Sequence, residues 1–390
     1  MKILAICQAL DLSNKKLGIT PAWWQILKGL AEKGIEIIAV PYFGKAVESL
    51  WWDCYENPNL TKVSMYEKLE QIMTHLPFYK DQMSFRQKNQ GPLTKIINLL
   101  IKPKWKKHLE YIIKKEKDID AIIVLTIPLN QFEGIPEYIN EEFGIPVYYY
   151  DGDTPTSLPE YGGISVSFYD NVDISGYEAF LINSKGSESS LKEMGAKEVH
   201  TIYWGVDPSA FAPLKTEKEF DVGFYGIGDR LREESINFMI GEPSKTMKSS
   251  FVVAGKGFGS CIGDAQYIDA DEIRYNKFYS RCRISLNIAR KPHASIYGSS
   301  ITRIFELACM GSCIVTNPYN GIEEWFEPNK EIIIVNDLKE TLEVYSNLLD
   351  SPDVRESLGQ AARKRVLKEH TYEDRCSQIF DIISKRVKNV

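Results

Sequence analysis

Strand-like and helix-like runs alternate from one end of this chain to the other, which restricts the fold more than any other feature. Residues 2–9 are an apolar run of strand length. Residues 11–20 are polar and read as a loop. Residues 21–33 read as a helix, with Pro21 in its first turn and Gly34 at its stop. Residues 36–42 form the next strand. A strand, a helix and a strand in that order make a βαβ unit, and repeated units imply a parallel sheet with helices on both faces. The pattern blurs over residues 50–118, where a helix near 62–75 and a basic helix near 104–117 are expected. Strands return at 121–125, 147–150, 179–182 and 199–203. A second series follows at 221–225, 251–254, 284–287, 312–315 and 332–335.

Residues 208–219, PSAFAPLKTEKE, are polar and proline-bearing, and they are the best linker candidate. The expected architecture is α/β, with two Rossmann-like, doubly wound domains facing a central cleft. The first spans 1–212 and the second 213–371. A last helix over 372–390 is expected to pack back on the first domain. A length of 390 residues suits two or three domains. Ligands of such sheets bind beyond the carboxyl ends of the strands, where the strand order reverses.

Composition removes several function classes. A formal net charge of −6 argues against general nucleic-acid binding, which requires a basic footprint. No apolar run reaches the length needed to span a bilayer. The apolar start lacks a small-residue cleavage site, so it reads as a strand rather than a signal peptide. The 7 cysteines are an odd number and form no CxxC pair, which fits buried thiols in a reducing cytoplasm.

The strongest local signal is Tyr297 to Val315, YGSSITRIFELACMGSCIV. It reads as a loop, a helix from about Ile301, a stop at Gly311 and a buried strand. Ser299 or Ser300 is placed to cap the helix. The free N–H groups at a helix start, with the helix dipole, suit a diphosphate. Arg303 adds a permanent cation in the first turn. Glu306, three residues on, shares its face and is placed to accept bonds from ribose hydroxyls. An ordinary surface ion pair between Arg303 and Glu306 is the competing explanation.

This segment resembles the donor-binding motif of GT-B glycosyltransferases of the group 1 superfamily. It is most similar to the CgeB-like spore-protein branch, whose R-x-x-E core falls on Arg303 and Glu306, followed by Ala308 or Cys309 and Gly311. Residues 180–213, FLINSKGSESSLKEMGAKEVHTIYWGVDPSAFAP, resemble the end of that superfamily's first domain. Residues 220–232, FDVGFYGIGDRLR, resemble the first strand and phosphate loop of its donor domain. The resemblance implies that Glu306 contacts ribose. The family's Glu-x7-Glu pattern would place its first Glu at 298, where this chain has Gly298.

Other candidates carry weaker signals. Gly226, Arg230 and Arg232 form a glycine-bearing loop that could cradle phosphate or be a solvated turn. Lys256, in GKGFG, could steady a phosphate or line a base pocket, or stand in solvent. Gly18, in the loop that leads to a possible cap at Thr20, reaches the donor or acceptor by resemblance. Asp151 ends a strand in an Asp-Gly-Asp sequence. It could orient or deprotonate an acceptor hydroxyl, or form an Asx turn ahead of Pro155. Asn287 and Arg290 lie at another strand end, with an exposed-looking His293 nearby. Cys309 and Cys313 read as core packing. The lysines of the helix near 104–117 could touch anionic lipid, although its apolar spacing favours packing on the sheet.

The expected activity is transfer of a sugar from a nucleotide-diphosphate donor, with Asp151, Arg232 and Arg303 as catalytic candidates. Gly18, Gly226, Arg230, Lys256, Asn287, Ser299, Ser300 and Glu306 are the donor-binding candidates. Fixed cations would replace a metal, and no cofactor is expected beyond the donor. The alternatives are a non-catalytic nucleotide-sugar binder and another GT-B enzyme such as a nucleotide-sugar epimerase.

Overall fold

Strand β1 (Lys2–Ala9) buries Ile3 to Cys7 without a break, as a strand covered on both faces must. It lies inside a parallel sheet with β2 (Glu36–Phe43), β3 (Asp53–Cys54), β4 (Ala121–Leu125), β5 (Val147–Asp151), β6 (Ala179–Ile182) and β7 (Val199–Thr201). The strand order is β3-β2-β1-β4-β5-β6-β7. A second parallel sheet contains β8 (Phe220–Ile227), β9 (Phe251–Lys256), β10 (Gln266–Asp269), β11 (Cys282–Asn287), β12 (Ile314–Thr316) and β13 (Ile333–Ile334). Its order is β10-β9-β8-β11-β12-β13. The order reverses between β1 and β4, and again between β8 and β11. These features come from a computed structural model describing residues 1–11, 21–59, 97–161, 169 and 171–387. The expected helix near 62–75, the cap at Thr20 and the candidate Gly18 lie outside the described residues.

Two strands went unread in the sequence. β3 has only two residues, too short to show a period. β10 is an edge strand with mostly exposed side chains, so it carries no apolar run. Boundaries elsewhere moved by a few residues at most.

The basic helix Lys102–Glu116 buries Trp105, Leu109, Ile112 and Ile113, so its apolar face packs into the first domain's core. There Trp105 stacks on Tyr42 at 5.7 Å and meets Phe132 at 5.1 Å. No helix among the described residues is long and apolar enough to cross a membrane. All 7 cysteines are free; Cys309 and Cys313 are buried in the core.

Each sheet has one core of its own on one face. A third core runs continuously from one sheet to the other through Trp204, Val206, Phe211, Trp325 and Tyr372. Two chain crossings lie side by side within it. Val206 pairs with Thr371, and Arg375 donates to the Trp204 carbonyl at 3.2 Å. The last helix, Tyr372–Val387, then packs on Ala22–Glu32 of the first domain. Cys376 Sγ lies 3.4 Å from the Ile26 carbonyl, and Arg386 pairs with Glu178 at 3.0 Å.

Candidate functional site

Three arginines converge beyond the carboxyl ends of β8 and β11, where the second sheet reverses its order. Arg232 is buried, and its Nε donates to the Ile288 carbonyl at 2.9 Å. Its Nη1 reaches the Ile227 carbonyl at 3.2 Å and Asp229 Oδ2 at 3.3 Å. Arg303, the second residue of the helix Thr302–Cys309, donates from Nη1 to the same Ile288 carbonyl at 3.3 Å. Its guanidinium lies over the Phe224 ring, 4.8 Å from the centroid. Arg290 donates from Nε to Asp229 Oδ2 at 2.7 Å. One carboxylate thus pairs with two of the three permanent cations, Arg232 and Arg290.

The cluster carries charge it does not balance internally. Burial, reinforced by Arg303 and Arg290, pushes the Arg232 guanidinium down to about 9, and Asp229 only partly opposes this. Polar atoms are also left without partners. Arg303 Nε, Asn287 Oδ1 and His293 Nδ1 are buried and make no hydrogen bond. Among the described residues, Arg232 Nη2, Arg303 Nη2 and both Nη atoms of Arg290 also make none. Among these donors Arg303 Nε is closed off from solvent without a partner, a rare state in folded chains, whereas the Nη atoms are open to solvent. Excess positive charge with guanidinium donors open to solvent suits a polyanion.

His293 is buried rather than exposed. Burial and the fields of Arg232 and Arg290 hold its imidazole down to about 3, so it is neutral. Glu306 is also buried, and desolvation pushes its carboxyl up to about 7. Arg303, Tyr275 and Thr302 stand around it, although the Tyr275 hydroxyl makes no hydrogen bond of good geometry.

Ser299 and Ser300 do not cap the helix. The N-cap residue is Ile301, and no side chain caps it. Both serines are fully buried in a seam between the domains. Ser300 N donates to the Asn183 carbonyl at 2.8 Å, and Asn183 Nδ2 returns a bond to the Ser300 carbonyl at 2.8 Å. Ser300 Oγ accepts from Trp204 N at 2.9 Å, and Ser299 Oγ meets Ser184 Oγ at 2.5 Å. The seam continues from Lys185 N to the Gly298 carbonyl at 3.0 Å. Gly298 itself sits at φ 58°, and a Cβ there would lie 2.9 Å from the Tyr203 hydroxyl. A glutamate at this position would be strained and obstructed.

Asp151 is likewise not a group presented to an acceptor. It is fully buried. Its Oδ1 accepts from Asp153 N at 2.8 Å, which is the Asx turn. Its Oδ2 accepts from Ser157 Oγ and Tyr169 Oη, each at 2.7 Å. Burial and the neighbouring Asp153 push its carboxyl up to about 6. Gly152 between the two aspartates leaves room for Trp204, whose Cζ2 would lie 2.2 Å from a Cβ at 152. Among the described residues, no three or more His, Cys, Asp and Glu side chains gather as metal ligands do.

The remaining candidates are scattered around the arginines. A Cβ at Gly226 would come within 2.8 Å of Phe224 Cζ and 2.9 Å of Arg303 Nη2, so this glycine lies directly against the Arg303 side chain. Arg230 is exposed on the turn beyond β8, and Lys256 is exposed at the end of β9. Asn287 Nδ2 is held by Thr316 Oγ1 at 3.0 Å, which aims the amide. Asp229 is the residue of this cluster that the sequence did not single out; Arg290 and His293 stood out only by their place after a strand, and His293 was expected to be exposed. The available signal was position alone: each follows a central strand, β8 or β11, at the reversal point.

Residues 237–381 match the family model described as glycosyl transferase-like. Solved structures resemble the chain over its whole length. Sucrose-phosphate synthase from Thermosynechococcus elongatus is 14% identical with a TM-score of 0.61, and 100% of each chain is covered. Anabaena HepE in complex with UDP-glucose is 12% identical with a TM-score of 0.59, covering 99% of this chain and 100% of that one. Trehalose-6-phosphate synthase OtsA is 10% identical with a TM-score of 0.63, covering 98% and 99%. No curated protein matches the sequence. At such identities the likeness is one of fold, and that fold is GT-B.

Proposed function

We propose that this GT-B glycosyltransferase moves a sugar from a nucleoside-diphosphate sugar held at the arginine cluster. The observation that carries this reading is the set of unpartnered guanidinium nitrogens on Arg232, Arg290 and Arg303 at the reversal point of the second sheet. These cations neutralise the leaving diphosphate as its charge develops, and their fixed positions remove reorganisation at that moment. Positive charge supplied by the protein makes transfer independent of an added metal. Glu306, one turn beyond Arg303, receives the ribose hydroxyls. Asn287 contributes its free Oδ1, and Arg230 and Lys256 border the pocket. Asp151 has no part in the chemistry, since three donors already hold its oxygens.

The functional division follows the two sheets, with an acceptor domain over 1–212, a donor domain over 213–371 and a tail helix over 372–390. The R-x-x-E core at Arg303 and Glu306 supports a place near the CgeB-like branch, and the free thiols support a cytoplasmic setting. Anabaena HepE has been solved with UDP and with UDP-glucose, which makes UDP the first nucleotide to try.

The test is thermal stabilisation by UDP, GDP, ADP, dTDP and CMP, each with and without magnesium. A cognate nucleotide at about 100 times its Kd adds roughly 2.7 kcal/mol. One diphosphate should raise the melting temperature regardless of magnesium, and Arg303→Ala should abolish the rise. No shift with any nucleotide would reject the donor site.

A further inference from the structure

The arginines are not independent of one another, because one carboxylate links two of them. Asp229 Oδ1 accepts from Leu231 N at 3.0 Å, which fixes the carboxylate to its own turn. Its other oxygen takes Arg290 Nε at 2.7 Å and Arg232 Nη1 at 3.3 Å. Arg232 is then held from the far side by the Ile288 and Ile227 carbonyls. These bonds leave Arg232 Nη2 and both Nη atoms of Arg290 without a partner among the described residues. A guanidinium is a rigid planar fork, so fixing Nε or one Nη sets the direction of the others.

We propose that Asp229 is a positioning residue for the diphosphate site, orienting the free donors of Arg232 and Arg290 toward one polyanion. This rests on the donor-site reading above. The carboxylate does two opposing things. It cancels one positive charge that the ligand could otherwise neutralise, and it pre-orders two flexible cationic side chains. If charge alone governed binding, removing it would tighten binding of an anion. If orientation governs, removing it weakens binding although the pocket becomes more positive. A pre-ordered fork also favours a ligand with two linked phosphates over a single one, because only the former engages both arginines at once.

The experiment measures affinities of inorganic pyrophosphate and inorganic phosphate by calorimetry at fixed ionic strength. These probes do not depend on the identity of the base. Wild type, Asp229→Asn, Asp229→Glu, Arg290→Gln, the Asp229→Asn/Arg290→Gln double variant and Arg303→Ala are compared. Asp229→Asn should weaken pyrophosphate about tenfold and lower the pyrophosphate-to-phosphate ratio, with Asp229→Glu recovering part of both. A general loosening of the fold would weaken both anions alike and leave the ratio unmoved, which would overturn the proposal. The double variant should lose less than the two single losses combined, since both act through one contact. Equal or tighter pyrophosphate binding by Asp229→Asn, with Arg303→Ala still impaired, would also overturn the positioning role and leave the site intact. Absence of pyrophosphate binding by the wild type, or binding that Arg303→Ala leaves unchanged, would reject the site and this role with it.

Discussion

Both sheets end in an acidic turn on their carboxyl side, Asp151 to Asp153 after β5 and Asp229 after β8, and the two turns treat charge in opposite ways. In the first, one aspartate faces, among the described residues, the Asp153 amide and the Ser157 and Tyr169 hydroxyls, donors of its own domain that carry no charge. Its polar groups are satisfied, and the result is a fixed loop. In the second, one aspartate faces two of three arginines, and several donors around it have no partner. A satisfied polar network shapes the chain. An unsatisfied one, with excess charge, is arranged for something that arrives from outside. The Asp-Gly-Asp motif, which in sequence allowed either an acceptor-orienting carboxylate or an Asx turn, forms the turn and buries Asp151, whereas the plain Gly-Asp-Arg turn joins two of the clustered arginines.

Five substitutions can break or sharpen that contrast. The largest effect belongs to Asp151→Ala, which strands Ser157, Tyr169 and the Asp153 amide in a buried place. It should cost about 3 kcal/mol or more in denaturant unfolding, while the surviving folded protein binds nucleotide as before. Full stability with lost transfer would return Asp151 to the chemistry.

Next comes Glu306→Gln, whose effect depends on pH. The folded carboxyl is raised from 4.5 to about 7, so the folded state holds its proton more tightly than the unfolded state. The associated stability is fully present below about 4.5 and is lost as pH rises through about 7. The glutamine variant has no such loss. Between pH 4 and pH 8, the stability difference should therefore move by roughly 3 kcal/mol in favour of the variant. Nucleotide affinity should fall in the same protein. A flat difference across that range would show that Glu306 is not desolvated.

Arg303→Ala should weaken diphosphate binding by roughly 2 kcal/mol, the scale of a charge-assisted contact. Unlike Asp151→Ala, it should leave unfolding in the absence of ligand close to wild type. The seam provides the smallest effects. Ser299→Ala should lower stability by about 1 kcal/mol through its bond with Ser184. Lys185→Ala, which removes a half-exposed pair with Glu324, should cost less than about 0.5 kcal/mol. Neither should alter nucleotide affinity. A large loss of affinity in Ser299→Ala would move that serine from the seam back to the donor.

Much of the fold was legible because burial leaves a local record. Short continuous apolar runs rich in β-branched residues, such as those of β1 and β4, read as strands covered on both faces. Arg303 and Glu306 could be placed on one helix face from their spacing alone. β10 was invisible because an exposed edge strand leaves no such record.

Partnership was not legible. Ser300 is held by Asn183, 117 residues away, and Asp151 by Tyr169, 18 residues on. Arg303 and Arg232 share the Ile288 carbonyl without any sequence relation. The sequence by itself determined two parallel sheets and a helix bearing Arg303 and Glu306, because the period of burial is a property of neighbouring residues. Only the tertiary structure decided which polar groups are satisfied and which still lack a partner, because that depends on chain segments brought together from far apart.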